Sequence, residues 1–334
     1  MITGILKRKG ICLALVFMVV FTGCAGGAGR QSADAERGET EGISSGAGEI
    51  LQETGESLQP EEGRAPEPEI TEADWSEYFD GLHGTAVLYH AEDGRFQIYN
   101  REQAVTQTSP CSTFKIISSM VALESGIIQP EDSTCAWSGE VFWNEKWNQD
   151  IDFRQAFRES CVWYFRKVID TIGQEPMQEA LKKLSYGNCD ISDWEGRRNT
   201  NNSNRALTGF WIESSLKISP KEQTEVMERI FGENAVCSEK TQKELRTVMQ
   251  VTGEEALESR PEISLYGKTG MGKVQGAVVD AWFTGFAEKK AASGAKNGTE
   301  TVYFCVHLGR NDGRDVSSTL AKKIAIQIVL EDGF

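Results

Sequence analysis

The chain has 334 residues, of which 39% are hydrophobic, and it carries a formal net charge of −15 at pH 7. This length and apolar content allow one large domain or two small ones with a substantial core. The acidic balance argues against phosphate-backbone binding, because that interaction requires a basic surface. We therefore expect no nucleic-acid partner.

The N-terminal segment has the pattern of an export signal. A basic cluster at 7–9 precedes an apolar run over 11–21, which is too short for a comfortable membrane span. The run ends in FTGC, which resembles the bacterial lipoprotein cleavage box, with Phe21 where leucine is usual. This resemblance implies a signal peptide over 1–23 and a lipidated Cys24 that holds the exported protein on the extracytoplasmic side of the cell membrane. An ordinary signal peptide or an uncleaved anchor is the alternative.

Residues 24–74 have a composition typical of a disordered acidic linker. The segment is rich in Gly, Ser, Glu and Pro and nearly lacks large apolar side chains, so it buries too little surface to offset its ordering entropy. Repulsion between its acidic side chains extends it. We expect it to hold a folded domain, residues 75–334, away from the membrane surface.

Beyond the signal and Cys24 the sequence has six cysteines. Their spacing is not that of a compact disulfide framework, and a domain of this size does not need such bonds, so the sequence leaves their redox state open. No CxxC pair occurs and the three histidines are isolated along the chain, which argues against a zinc site. We expect no bound metal. The cysteines are Cys111, Cys135, Cys161, Cys189, Cys237 and Cys305.

Runs of β-forming residues lie at both ends of the globular part. The first, GTAVLYHAEDGRFQIYN, contains the hairpin signal Asp93-Gly94. Helical periodicity dominates from about 112 to 250, before three more β-rich runs and a final apolar-striped helix. This order differs from the βαβα alternation of doubly wound folds. We predict an α/β fold of the α+β type, in which both chain ends build one antiparallel sheet with flanking helices and a helical subdomain is inserted. A cleft between the two parts is the expected place for a site.

Ser112 and Lys115 stand three residues apart in CSTFKIISSM, at the start of an apolar helical pattern. Residues three apart share a helix face, so the hydroxyl and the amine can meet. A neutral amine can take the hydroxyl proton and activate the serine, and desolvation beside Phe114 favours the neutral amine. The S-x-x-K string alone is a weak signal, because roughly one such string is expected by chance in a chain of this length.

A lysine-threonine-glycine sequence follows in YGKTGMG, on a predicted strand. Lys268 can place positive charge at a substrate anion, Thr269 offers a hydroxyl, and Gly270 lets a ligand approach the backbone. This tripeptide is much rarer by chance. An S-x-x-K helix start followed by a K-T-G strand is the pattern of serine β-lactamases and penicillin-binding proteins.

Segments between these two motifs show which branch of this superfamily the sequence resembles. ESCVWYF contains a serine-x-valine element, LSYGNCD contains Tyr186-Gly187-Asn188, and GFWIESSLKISP resembles the tryptophan-containing segment that follows. Over about residues 80–334 the order and spacing resemble a class D, oxacillinase-type, serine β-lactamase. The resemblance implies a serine β-lactamase/transpeptidase-like fold and hydrolysis of the β-lactam amide of penicillins and related antibiotics, which gives antibiotic resistance.

The resemblance also implies catalytic roles. Ser112 would be the acylated nucleophile, and Lys115, carboxylated on its amine by carbon dioxide, would be the general base. Ser160 would relay protons near the leaving nitrogen. Lys268 and Thr269 would face the substrate carboxylate.

Supporting roles follow from the same resemblance. The backbone N–H groups of Ser112 and Met271 would form an oxyanion hole. Trp211 would hold the lysine carbamate through its indole N–H, in an apolar pocket with Phe114 and Val162. No cofactor is implied beyond carbon dioxide or bicarbonate, and the YGN asparagine would only position its neighbours.

The chain departs from the family pattern at one point. The family often has an arginine at the start of the final helix to bind the substrate carboxylate, where this chain reads TLAKKIA. Arg310 or Arg314, just upstream, could substitute. The substrate spectrum therefore stays open.

Two other functions compete with hydrolysis. A cell-wall transpeptidase or carboxypeptidase would share the serine and both lysines, but it normally has asparagine at the position of Val162. An extracellular β-lactam sensor looks very similar and is acylated without rapid turnover. Such receptors carry several membrane helices ahead of the sensor, whereas here one short export segment and a linker precede the domain, which favours an enzyme.

Overall fold

The computed structural model describes residues 68–290 and 298–334. The predicted signal peptide, Cys24 and nearly all of the predicted linker lie outside these residues. The described strands are β1 (Glu69–Glu72), β2 (Gly84–His90), β3 (Arg95–Tyr99), β4 (Ile263–Val274), β5 (Ala277–Lys290) and β6 (Thr299–Leu308).

Ten α-helices and three short 3-10 turns complete the described elements, and none of these helices is long and apolar enough to cross a bilayer. The helices are α1 (Ser76–Phe79), α2 (Arg101–Ala104), α3 (Lys115–Glu124), α4 (Phe153–Arg158), α5 (Val162–Ile172), α6 (Gln174–Leu184), α7 (Pro220–Phe231), α8 (Glu239–Met249), α9 (Glu255–Glu258) and α10 (Ser318–Asp332). The 3-10 turns are Cys111–Phe114, Glu145–Trp147 and Arg205–Leu207.

The six described strands form one sheet in the order β1-β3-β2-β6-β5-β4. Every neighbouring pair is antiparallel except β1 and β3. The two ends of the chain join where β2 pairs with β6, in a register that places Gly84 opposite Leu308. The predicted sheet built from both chain ends is therefore confirmed, and the Asp93-Gly94 turn joins β2 to β3.

The folded part begins before residue 75, so the predicted linker boundary was placed too late. Residues 69–72 form β1, which pairs in parallel with β3 from Glu69–Arg95 to Glu72–Ile98. Ile70 is the single apolar residue of β1 and is only half-buried. The strand is held by pairing with β3 rather than by its own hydrophobicity, and composition does not reveal such pairing.

Successive side chains along each strand point to opposite faces of the sheet, so the two faces contribute to two different hydrophobic cores. Tyr303 and Phe286 belong to the core that also contains the helical subdomain, where α7 lies against β6 and β2. Phe304 and Phe283 point to the other face, which α10 covers. Each strand of the sheet centre is thus apolar on both sides, as expected for a sheet buried between helical layers.

Close approach of β4 to the Cys111–Phe114 turn positions the site. A Cβ atom at Gly270 would lie 3.0 Å from the carbonyl oxygen of Pro110, and one at Gly272 would lie 2.9 Å from the Sγ of Cys111. Glycine at these positions lets the strand pack directly against the turn. The K-T-G strand and the S-x-x-K turn are therefore neighbours.

Candidate active site

Ser112 and Lys115 lie together at the start of α3. The 3-10 turn Cys111–Phe114 runs directly into this helix, and residues three apart are aligned in such a turn. The Nζ of Lys115 donates a hydrogen bond of 2.9 Å to the Oγ of Ser112. Lys115 is only 1% exposed, whereas Ser112 keeps partial exposure.

The environment of Lys115 favours its neutral form. Its Nζ lies 5.4 Å from the centre of the Phe165 ring, and among the described residues no carboxylate pairs with it. Burial lowers the pKa of Lys115 from 10.5 to about 8. A useful fraction of the amine is therefore unprotonated near neutral pH and can accept the proton of Ser112.

A second lysine-serine pair, Lys268 and Ser160, lies opposite the pair formed by Ser112 and Lys115. The Nζ of Lys268 on β4 lies 3.2 Å from the Oγ of Ser160, 3.1 Å from the carbonyl oxygen of Thr269 and 3.3 Å from its Oγ1. Lys268 is 4% exposed. Burial, and then the positive charge of Lys115, lower the pKa of Lys268 well below its usual value. The structure thus brings together the four predicted catalytic residues.

The turn between α4 and α5 presents Ser160. Its backbone is left-handed, with φ of 54°, a conformation that costs a non-glycine residue about 1–2 kcal/mol. The next residue, Cys161, is fully buried and its N–H donates to the carbonyl oxygen of Ala156 at 2.8 Å. Val162 begins α5 and packs half-buried against the helical core.

Trp211 is fully buried in an aromatic pocket. Its ring stacks on Phe114 with centroids 6.0 Å apart, and the guanidinium of Arg166 lies 5.2 Å from its ring. A Cβ atom at Gly209 would fall 2.0 Å from the indole, so the ring needs a glycine there. Among the described residues its Nε1 has no hydrogen-bond partner. A buried N–H without a partner is costly, and a ligand or modification is one explanation for it.

The Tyr186-Gly187-Asn188 motif fixes the segment that carries Trp211. The Nδ2 of Asn188 donates to the carbonyl oxygen of Ser215 at 2.9 Å, and its Oδ1 accepts from the N–H of Lys217 at 3.0 Å. Gly187 has φ of 49°, and a Cβ atom there would lie 1.9 Å from the carbonyl oxygen of Lys217. This geometry matches the positioning role expected for the asparagine.

Thr269, Gly270 and Met271 follow Lys268 along the exposed edge of the sheet. Thr269 is half-buried, Gly270 packs on the Cys111–Phe114 turn, and the Met271 side chain is 44% exposed. The backbone of Met271 therefore lies between the two glycines, Gly270 and Gly272, through which β4 packs on the turn that holds Ser112.

The two arginines considered as ligands of the substrate carboxylate form ion pairs with aspartates outside the candidate site. The Nε of Arg310 donates to Asp312 at 2.7 Å, and an Nη of Arg314 donates to Asp80 at 2.8 Å. Neither arginine lines the cavity beside Lys268. The structure therefore does not bring them into the candidate site.

Sequence reasoning missed the cations that do line this cavity: Arg154, Arg158 and Lys322. Lys322 lies in the TLAKKIA segment of the final helix, the region in which the family often has an arginine. That pattern could have identified it. The arginines of α4 belong to no motif.

A buried polar cluster behind the Cys111–Phe114 turn was also not predicted. The carboxylate of Asp280 accepts from the Oγ1 of Thr108 at 2.7 Å and lies 3.0 Å from the Nε2 of His307. Nearby, the Nε1 of Trp282 donates to the carbonyl oxygen of Ser109 at 3.0 Å. These bonds attach the start of the turn to β5.

The six cysteines that the sequence left open are free thiols in the structure. Within residues 68–290 and 298–334 there is no group of three or more His, Cys, Asp or Glu side chains that could hold a metal ion.

Comparison with known proteins assigns the family. The penicillin binding protein transpeptidase domain matches residues 84–325. The chain belongs to this family. It is 30% identical over 279 residues to the regulatory protein BlaR1 of Bacillus licheniformis, a match that covers 83% of this chain and 42% of the relative. It is 29% identical over 255 residues to the probable β-lactamase YbxI of Bacillus subtilis, covering 76% of this chain and 83% of the relative.

Solved structures of family members agree with this assignment. The C-terminal domain of the BlaR penicillin receptor of Bacillus licheniformis has a TM-score of 0.66 and 28% identity, over 81% of this chain and 99% of that one. A class D β-lactamase from Bacillus subtilis has a TM-score of 0.63 and 28% identity, and the match covers 78% of this chain and 96% of that one. The predicted resemblance to class D β-lactamases and the predicted fold are confirmed. The relatives include both β-lactamases and regulatory receptors, and the chain spans less than half the length of the BlaR1 receptor.

Proposed function

We propose that this transpeptidase-family protein hydrolyses the β-lactam amide of penicillins and related antibiotics through a covalent Ser112 acyl-enzyme, and so gives antibiotic resistance. The observation that carries the proposal is the 2.9 Å hydrogen bond between the desolvated amine of Lys115 and the hydroxyl of Ser112. The 29% identity to a protein named as a probable β-lactamase supports it.

Acylation follows from the arrangement of the two lysine-serine pairs. The Oγ of Ser112 attacks the lactam carbonyl carbon and loses its proton to the base at Lys115. The backbone N–H groups of Ser112 and Met271 stabilise the oxyanion, at roughly 3 kcal/mol for each donor. When the carbon–nitrogen bond breaks, Ser160 passes a proton to the ring nitrogen, and its contact with Lys268 assists that transfer.

Deacylation needs a base that can activate water, and the residues around Lys115 fit a carboxylated lysine. A carbamate on Lys115 would supply a general base for both halves of the reaction. Carbon dioxide adds to a neutral amine, and burial already lowers the pKa of Lys115 to about 8. The partnerless indole N–H of Trp211 is a donor for a buried anion, while Phe114 and Val162 limit access of water.

A second candidate is a β-lactam sensor that is acylated at Ser112 but does not hydrolyse the acyl group rapidly. The 30% identity to BlaR1 and the TM-score of 0.66 to the BlaR receptor domain favour it specifically. Acylation would use the same residues in both cases. The two functions differ in whether the acyl group leaves.

The purified full-length chain, mixed with excess chromogenic cephalosporin, distinguishes these functions. We expect colour to develop over many equivalents, with Ser112→Ala inactive as the control. A burst that stops at one equivalent would establish the sensor instead. No burst with either protein would contradict both functions.

We also propose that the protein acts on the extracytoplasmic side of the cell membrane, attached through a lipid on Cys24. The basic, apolar and small-residue pattern of residues 1–24 supports this location.

A further inference from the structure

A cavity of about 650 Å³ opens beside β4, next to Lys268 and Thr269. Its walls come from elements far apart in the chain. Arg154 and Arg158 contribute from α4, residues 247–252 line one side, and Lys322 reaches it from α10. The cavity is therefore continuous with the candidate active site at the K-T-G strand.

The cavity is strongly basic although the chain carries a net charge of −15. Four basic side chains line it, and no carboxylate is among its described lining residues. Arg154 pairs with Glu244 and Lys322 pairs with Glu254, and both glutamates lie outside the lining. For Arg158 and Lys268 no carboxylate partner occurs within the part of the chain that the structure describes.

Such a cluster of basic side chains around an open cavity favours an anionic ligand. Lys268 already binds Ser160 and Thr269, so it is committed to the reaction. Arg158 is exposed and forms no side-chain hydrogen bond with any described residue. Its five donors are therefore available to a ligand, and a guanidinium binds a carboxylate in two parallel hydrogen bonds.

The order of residues along β4 says which part of a β-lactam would face this cavity, and this step rests on the proposed function. The scissile carbonyl would lie at Ser112 and Met271, and the ring carboxylate at Lys268 and Thr269. Gly267, the next residue along the strand, lines the cavity. A substituent that extends beyond the ring carboxylate would enter it.

We propose that the part of this cavity beyond the ring-carboxylate contact at Lys268 and Thr269 is a second anion subsite, in which Arg158 recognises a bulky anionic substituent on the carboxylate side of the β-lactam ring. In a cephalosporin this is the substituent at position 3. The volume exceeds what one carboxylate needs, so the subsite accepts a long substituent that ends in an anion. Arg158 is thus a specificity-determining residue.

Two cephalosporins test the subsite. They share the nucleus and the acyl side chain, and they carry position-3 substituents of equal length that end in a carboxylate or in a trimethylammonium group. We expect the full-length protein to react about tenfold faster with the anionic compound at low concentration, as one charge-assisted hydrogen bond allows. The readout is the second-order rate constant for acylation, from intact-mass spectrometry.

Substitutions then test whether Arg158 is the residue that causes the preference for the anionic cephalosporin. Arg158→Gln should bring the ratio of the two rate constants close to one, while Arg158→Lys should retain part of it. Arg314→Gln and Arg310→Gln are matched controls that remove an exposed arginine outside the cavity and should leave the ratio unchanged. Thermal melts verify that each variant is folded, which the exposure of Arg158 favours.

Three results would overturn the inference. They are a ratio near one in the unsubstituted protein, an unchanged ratio in Arg158→Gln, and an equal loss in the two arginine controls. A failure of the proposed function is seen separately, because then neither cephalosporin would acylate Ser112, and the subsite would be rejected with it.

Discussion

The backbone N–H of Cys111 donates a hydrogen bond of 2.9 Å to the carbonyl oxygen of Trp211. The Oγ of Ser109 donates to the same oxygen at 3.1 Å. These bonds attach the Cys111–Phe114 turn to Trp211, whose indole N–H lacks a partner among the described residues. Because the acceptor is a backbone carbonyl, a side-chain substitution at Trp211 leaves the attachment in place and changes only the indole.

We expect Trp211→Phe to separate the two halves of the reaction. The phenyl ring retains most of the stacking on Phe114 but lacks the N–H, so acylation should persist while deacylation slows by about tenfold or more. Pre-steady-state kinetics with a penicillin would show acyl-enzyme accumulating. Trp194→Phe is a matched control, since Trp194 stacks on Phe210 in the same aromatic cluster.

The proposed carbamate on Lys115 can be tested by direct detection. Wild-type activity should fall in degassed buffer and recover on addition of bicarbonate, and carbon-13 bicarbonate should produce a carbamate NMR signal that Lys115→Met lacks. If wild type shows no such signal and its rate does not respond to bicarbonate, Lys115 acts as a plain amine base.

Ser112→Ala should abolish covalent labelling by a brief penicillin pulse, because the nucleophilic oxygen is gone. Intact-mass spectrometry would show one adduct on wild type and none on the variant. Ser160→Ala should still be labelled, but more slowly. An adduct on Ser112→Ala would reject the assignment of the nucleophile.

Lys115→Met should stabilise the fold at neutral pH. Burial lowers the pKa of Lys115 from 10.5 to about 8, so the unfolded chain binds the extra proton and wild-type stability rises as pH increases between these values. Below pH 8 the full penalty applies, about 3 kcal/mol. Urea unfolding in carbon dioxide-free buffer should show a large advantage for the variant at pH 7 that shrinks by pH 10. An advantage of equal size at both pH values would contradict this reasoning.

Cys24→Ser should prevent lipid attachment, because the thiol is the acceptor in the predicted cleavage box. Labelling with a radioactive fatty acid followed by membrane fractionation would show loss of label and release from the membrane. Serine at Cys12, inside the predicted signal, provides the control and should keep the label. Equal labelling of wild type and Cys24→Ser would disprove anchoring at this residue.

Local motifs were the part of the site that the sequence could predict. Ser112 and Lys115 are three residues apart on one turn, so helical geometry alone brings them together. The hairpin at Asp93-Gly94 and the sheet from both chain ends follow from β-rich runs and turn residues in the same way.

Features that depend on contacts between residues far apart in the sequence could not be predicted. Arg158 and Lys322 line one cavity because the end of α4 and the start of α10 lie beside the same strand. Asp280 contacts His307 across neighbouring strands. The strand over 69–72 depends on pairing with β3. None of these has a periodic or compositional signal, because each arises from tertiary packing.

The pairing of β2 with β6 also sets an order of events during synthesis. The whole helical subdomain separates these strands along the chain, so their pairing closes a very long loop and is expected to form slowly. β4 joins the sheet through β5 and β6, so we expect Lys268 to reach its final position beside Ser160 after β6 has been made and paired. An incomplete chain can hold Ser112 and Lys115 on their helix but lacks the opposite wall of the site. We therefore expect labelling by a fluorescent penicillin to mark molecules whose sheet has closed, so that it could be used to measure the time course of folding.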